Sequence, residues 1–210
     1  GCEELTHDRR EWFFSQMSRT HLNIEPESVP YDQPEKWLYP KIQGKSSFLA
    51  ILNTVKAAQT VFEMCQETLG IDYDLYYLSS ALIPLHRQQR IAEIQKQLYL
   101  KQRVGLIATQ VVEAGVDLDF AGVIRDWAPL DAVIQAAGRC NRHNENQTTG
   151  DVYLVRLLDS ERDKLLAAYI YDSVARDLTT EVLGQVSCLE ETEYLKKVET
   201  YFQLLRERKA

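Results

Sequence analysis

No run in this 210-residue chain approaches the roughly 18 consecutive apolar residues of a membrane span. The start of the chain has neither the charged opening nor the apolar block of a secretory signal, so no membrane role is expected and the cytoplasm is the expected location. Only four cysteines occur (Cys2, Cys65, Cys140 and Cys188), far apart and without a C-x-x-C pair. That spacing excludes a zinc cage and a disulfide framework and leaves reduced thiols. Four histidines (His7, His21, His86 and His143) are too few and too scattered for a multi-histidine metal centre, and no metal site is expected. Two further absences bear on nucleotide chemistry: no G-x-x-x-x-G-K-[ST] match and no Asp-Glu dipeptide. The chain therefore lacks its own means of cradling a triphosphate and holding its Mg²⁺. The tripeptide Gly44-Lys45-Ser46 is a decoy, because Tyr39 stands where the first glycine belongs and Lys45 precedes an apolar run instead of following one.

What is present describes an ordinary globular core, since 45% of residues are hydrophobic and 26% charged. A net charge of −7 argues against coating nucleic acid by bulk electrostatics. Locally, His86, Arg87, Arg90, Lys96, Lys101 and Arg103 are countered only by Glu93, which leaves a cationic groove on an acidic body open. Buried-type runs at FLAILN (48 to 53), DLYYL (74 to 78), VGLIA (104 to 108), AGVIRD (121 to 126) and VYLVRL (152 to 157) predict strands. Helical spacing follows in Ala58, Val61, Phe62, Cys65 and Leu69, in Ile91, Ile94 and Leu98, and in LDAVIQAAG (130 to 138). Such alternation predicts an α/β domain with a mostly parallel sheet covered on both faces and its chemistry in loops at the carboxyl ends of the strands. Past residue 160 the pattern reads as purely helical, with Leu195, Val198, Phe202 and Leu205 on one face of a last helix. Residues 1 to 40 are the least legible: IEPESVPYDQPEKW holds three prolines, and WLYPKI reads as an edge strand. The expected division is therefore 1–40 poorly defined, 41–158 as the α/β lobe, and 159–210 as a helical extension packed on it.

Two loops are chemically loaded. ATQVVEAGVDLD (108 to 119) leaves the strand VGLIA and offers the Thr109 hydroxyl and amide, Gly115 for close approach, and Glu113, Asp117 and Asp119 as acceptors. Carboxylates there suit ribose hydroxyls or nearby arginines; a solvated tight turn is the plainer alternative. QAAGRCNRHN (135 to 144) places Gln135 on a helix that Gly138 ends, with Arg139 and Arg142 three apart beyond it. If the helical turn persists, both guanidinium groups share a side. Paired forks suit a triphosphate and can supply roughly 10³ to 10⁵ in rate; arginines that stabilise a helix C-terminus are the alternative.

Together the two loops resemble motifs V and VI of superfamily 2 helicases. More narrowly, ATQVVEAGVDLDFAGVIRDWAPLDAVIQAAGRCNRHN is similar to the C-terminal RecA-like lobe of the CRISPR-associated helicase of type I systems, where T-Q-V-x-E-A-G-V-D, P-L-D and Q-x-x-G-R-x-N-R recur in this order. LAILNTVKAAQTVF and YLSSALIPLHRQQRI fit upstream segments of the same lobe. The resemblance implies that Arg139 and Arg142 reach across to the phosphates of ATP, assisted by Gln135, with Asp117 and Gly115 on the ribose side and Glu113 organising the motif V loop. It implies that Thr109, Ser79, Asn53 and Thr54 touch the backbone of one DNA strand, with Arg87 near that track. One departure is Ala136, where many superfamily members carry arginine. ATP with Mg²⁺ would be held mainly by a first RecA-like lobe, and the Gly1 start fits an excised fragment whose first lobe lies in a missing N-terminal part or another chain. The family's other implied partners are a histidine-aspartate nuclease domain, single-stranded DNA and an RNA-guided surveillance complex. His7-Asp8 is not read as that nuclease. Trp127 has two readings, stacking on a base or packing at a strand end. A non-catalytic RecA-like adaptor and a lobe of another superfamily 2 branch, such as an RNA helicase or restriction translocase, are the rival assignments.

Overall fold

A computed structural model describes residues 18–113, 116–143 and 149–209. Its eight strands are β1 (Thr20–Pro30), β2 (Ser47–Ile51), β3 (Asp74–Leu78), β4 (Val104–Ala108), β5 (Gly122–Asp126), β6 (Gly150–Asp159), β7 (Lys164–Leu165) and β8 (Cys188–Glu190). They form one sheet in the order β3-β4-β2-β5-β6-β1-β8, with β7 pairing β6 off this path. Pairing is parallel from β3 through β1, and only β7 and β8 run antiparallel. Strands β2, β4 and β5 are buried at every position, the pattern of a sheet covered on both faces.

Alternate residues of each strand feed different cores. Leu49, Ile51, Leu106, Val123 and Leu154 face a layer made of α4 (Pro84–Tyr99), α5 (Leu130–Ala137), α6 (Ser173–Leu183) and α7 (Glu191–Lys209). Phe48, Ala50, Leu52, Ile107 and Ile124 face α1 (Pro34–Trp37), α2 (Tyr39–Ile42) and α3 (Val55–Leu69). Thr54 caps α3 by accepting from the Ala57 N–H at 3.2 Å, and Pro84 opens α4 where a missing N–H costs nothing. The result is the expected α/β lobe.

Four local expectations are corrected. WLYPKI is no strand: Pro34 and Pro40 sit in the first turns of α1 and α2, and Trp37, Leu38 and Ile42 are buried. Thr20–Pro30, illegible in sequence, is an 11-residue strand parallel to β6, its alternation interrupted by a register shift between Ile24 and Ser28 at the proline-bearing segment. The region beyond 160 is not purely helical, because β8 closes the sheet edge against β1; three residues are too few to register as a period. On α7 the buried face is Tyr194 and Tyr201 with Val198 and Leu205, while Phe202 is 39% exposed, one position off the expected stripe.

The decoy GKS is a loop. Gly44 takes a positive φ of 75°, and Lys45 lies over Gly122, where any Cβ would collide with its stem, and donates to Asp151 Oδ2 at 2.7 Å.

Candidate functional site

Parallel order brings Ser79, Thr109 and Asn53 to adjoining carboxyl ends of β3, β4 and β2. Ser79 is buried, and its Oγ accepts from the Ala81 N–H at 3.3 Å. Thr109 is also buried, with its N–H spent on Leu78 O at 3.0 Å, and it opens the 3₁₀ turn Gln110–Val112. Thr54 stands beside them as the α3 cap. Arg87, half-buried on α4, begins a row of cations that runs the length of that helix. Arg87, Arg90 and Lys96 are the members of that row on the helix itself, and they span about 14 Å of its length. Arg90 on that helix lies over the Tyr76 ring, and Arg103, beyond the helix end, lies 4.3 Å over the Tyr73 ring.

Asn53 is committed internally. Its Nδ2 donates to Asp126 Oδ2 at 2.6 Å and Trp127 O at 2.8 Å, and its Oδ1 accepts from Arg125 Nη1 at 2.7 Å. The expected strand contact would need an amide group that has none to spare, since both amide protons are used. Asp126 is fully buried at the end of β5, and burial pushes its carboxyl up to about 7, against the pull of Arg125. Trp127 packs at the strand end, 3% exposed, with the Arg156 guanidinium 3.7 Å above its ring.

The expectation that residues 109 to 119 occupy only the carboxyl edge is also corrected. A parallel crossover must carry the chain back across the whole layer, and Phe120 arrives at the amino end of β5. There it bridges Cys140: the Phe120 N–H donates to Arg139 O at 2.9 Å, and the Asn141 N–H to Phe120 O at 3.0 Å. Helix α5 descends in step, so the segment after it lies along the returning strand of loop.

The helical turn does not persist through the arginine pair. α5 ends at Ala137, Gly138 keeps an ordinary right-handed φ of −64°, and Asn141 turns left-handed at φ 47°. Both arginines nevertheless meet the motif V segment. Arg139 Nη2 donates to Glu113 O at 2.8 Å, and Arg142 Nη1 pairs with Asp117 Oδ1 at 3.0 Å. Asp119 fixes the loop by accepting from the Arg142 and His143 N–H groups at 2.8 and 3.0 Å. Burial and then the nearby Arg142 lower the Arg139 pKa, with Asp117 opposing. Among the described residues the buried Arg139 Nε has no hydrogen-bond partner. Two neighbouring cations, one with an unspent buried donor, fit an incoming polyanion such as a triphosphate. Gln135 is exposed on α5, and Glu113 is half-buried, its carboxylate 2.8 Å from Arg125 Nη2. Gly115 and His7-Asp8 lie outside the described residues. Among the described residues no cluster of His, Cys, Asp or Glu could hold a metal ion.

The family profile described as "CRISPR-associated nuclease/helicase Cas3, C-terminal" matches residues 44–145, a span that holds both arginines and the whole motif V segment. The Cas3 nuclease/helicase of Methanothermobacter thermautotrophicus is 33% identical over 144 residues, covering 68% of this chain. The chain belongs to the Cas3 family. It corresponds to the C-terminal helicase lobe, and it spans 17% of the length of the M. thermautotrophicus Cas3. In fold it is similar to T. fusca Cas3 with ADP, with a TM-score of 0.72 at 22% identity over 89% of this chain and 24% of that one. A chain in a CRISPR RNA-guided surveillance complex before nicking matches with a TM-score of 0.65 at 20% identity, over 89% of this chain and 25% of that one. No helix among the described residues is long and apolar enough to cross a membrane.

Sequence reasoning missed Arg125, Asp126 and Tyr171. The signal was available: two adjacent charges, Arg-Asp, close the otherwise apolar run GVIRD, and buried charges require partners.

Proposed function

We propose that this Cas3 lobe is the second half of an ATP-dependent single-stranded-DNA translocase of CRISPR antiviral defence. It supplies Arg139 and Arg142 to a nucleotide that a separate first RecA-like lobe holds, and it does not hydrolyse ATP alone. The observation that supports this best is the convergence of both guanidinium groups on Glu113 and Asp117, with a buried Arg139 donor unspent among the described residues. Arg139 and Arg142 face the phosphate oxygens, Gln135 stands beside them, and Asp117 and Gly115 lie toward the ribose. Glu113 shapes the loop. ATP with Mg²⁺, bound mainly by the first lobe, supplies the phosphoryl group whose oxygens gain charge during transfer to water. In this reading Asn53 holds the carboxyl edge in shape while Thr109, Ser79 and Thr54 meet the strand, with Arg87 near its track. The helicase lobe spans 41–158; the extension 159–210 is mostly helical and lends β7 and β8 to the lobe's sheet, and the segment 1–40 lends it β1. The further partners are a histidine-aspartate nuclease domain and the RNA-guided surveillance complex, and the setting is the cytoplasm.

The test is reconstitution. The chain alone should show no ATP turnover, and adding a Cas3 first lobe with single-stranded DNA should produce it. Turnover by the chain alone, or none in the reconstituted pair, overturns the division of labour.

A further inference from the structure

Arg125 is a fully buried guanidinium one residue from the carboxyl end of β5. Nη1 donates to Asn53 Oδ1 at 2.7 Å, and Nη2 donates to the Tyr171 hydroxyl at 2.9 Å and pairs with Glu113 Oε1 at 2.8 Å. Each partner belongs to a different segment: Asn53 leaves β2, Glu113 follows the turn that Thr109 opens, and Tyr171 precedes α6. Gln110, inside that turn, reaches the same centre by donating to Asn53 O at 3.0 Å. The main chain of Glu113 then accepts from Arg139 Nη2 at 2.8 Å. A continuous set of contacts therefore runs from the carboxyl edge, beside Thr109 and Ser79, through Arg125 and Glu113 to Arg139.

Stability does not account for a cation in this place. A buried ion pair is often no more stabilising than apolar side chains of the same volume, whereas fixed geometry is a use such pairs can serve. The geometry here is shared between the two surfaces that the lobe must coordinate. If the Thr109 turn shifts, Glu113 shifts with it, and so does the carbonyl that Arg139 holds.

We propose that Arg125 is a positioning residue that sets the reach of Arg139 through Glu113 and links it to the turn at Thr109. This rests on the reading of Arg139 as a phosphate-facing arginine. Arg125 touches no substrate itself; it acts by fixing where the next residue stands.

The test uses the two-lobed enzyme, with Arg125→Met alone and Arg125→Met joined to Glu113→Gln. The second variant avoids leaving the Glu113 carboxylate without its cation, while Asp126 keeps its Asn53, Trp127 and Leu157 donors. Each is measured with and without Arg139→Ala for kcat and KM of ATP turnover, for single-stranded DNA affinity by fluorescence anisotropy, and for melting temperature. Both Arg125 variants should lower kcat by about 10-fold while DNA affinity stays within about 3-fold. In the Arg139→Ala background they should lower it no further. A folded Arg125 variant with unchanged kcat, or losses that multiply with those of Arg139→Ala, overturns the proposal. If Arg139→Ala itself leaves kcat unchanged, the phosphate-facing reading fails instead, and the two failures are distinct.

Discussion

Replacing Asn53 by alanine removes one amide that four groups use at once. Asp126 Oδ2 loses a donor at 2.6 Å, Trp127 O one at 2.8 Å, Arg125 Nη1 an acceptor at 2.7 Å, and Gln110 Nε2 a weaker acceptor at 3.4 Å. Hydrogen bonds to charged groups contribute about 1.5–3 kcal/mol each, and a buried group left unpaired costs about 1–3 kcal/mol. Partial compensation is built in. Asp126 Oδ1 keeps the Trp127 and Leu157 N–H groups, and Arg125 keeps Glu113 and Tyr171. A net loss of about 3–5 kcal/mol follows. For a domain of this size each 1 kcal/mol lowers Tm by about 2–4 °C, so a fall of roughly 10 °C is expected. Thr54→Ala, the neighbouring cap, should cost only about 1 kcal/mol. Both are read by far-UV circular dichroism in urea and on heating, with no nucleic acid present. If Asn53→Ala stays within about 0.5 kcal/mol of the parent, the internal role of Asn53 is refuted.

Asp126 also predicts a pH dependence: burial raises its carboxyl from 3.8 to about 7 in the folded chain, so the folded state holds a proton the unfolded state has released. That stabilisation is complete below pH 3.8 and is lost as pH rises through 7, by up to a few kcal/mol; the urea midpoint should fall from pH 5 to 7.5 less steeply in Asp126→Asn, and an unchanged slope contradicts this. Lys45→Ala should leave reconstituted ATP turnover unchanged and cost about 1 kcal/mol or less, because its pairing with Asp151 is partly exposed; abolished turnover would make GKS a working phosphate loop. Tyr201→Ala should destabilise by about 3–5 kcal/mol and Phe202→Ala by less than about 1 kcal/mol, and the reverse ranking in thermal melts would place the wrong face of α7 against the core.

Strands β2 to β6 were legible because each is a buried run bounded by polar residues, and α3 to α5 because their apolar spacing survives burial. Thr20–Pro30 was not, since its two prolines, Pro26 and Pro30, mask the alternation around Leu22. The arginine pair was legible as chemistry but not as geometry: a left-handed Asn141 and a bridge between Phe120 and Cys140 bring Arg139 and Arg142 to the motif V segment, and neither leaves a mark in a one-dimensional pattern. Asn53 shows the converse limit. A polar residue at a strand's carboxyl end reads as a ligand contact, yet its partners Arg125 and Asp126 lie more than 70 residues away in sequence.

Cross-lobe action by Arg139 and Arg142 is tested most directly by steady-state ATP turnover in the two-lobed enzyme with saturating single-stranded DNA. Arg139→Ala and Arg142→Ala should each lower kcat by roughly 10³-fold or more, while the melting temperature moves by no more than about 4 °C. Turnover within about 2-fold of the parent in both folded variants would contradict it.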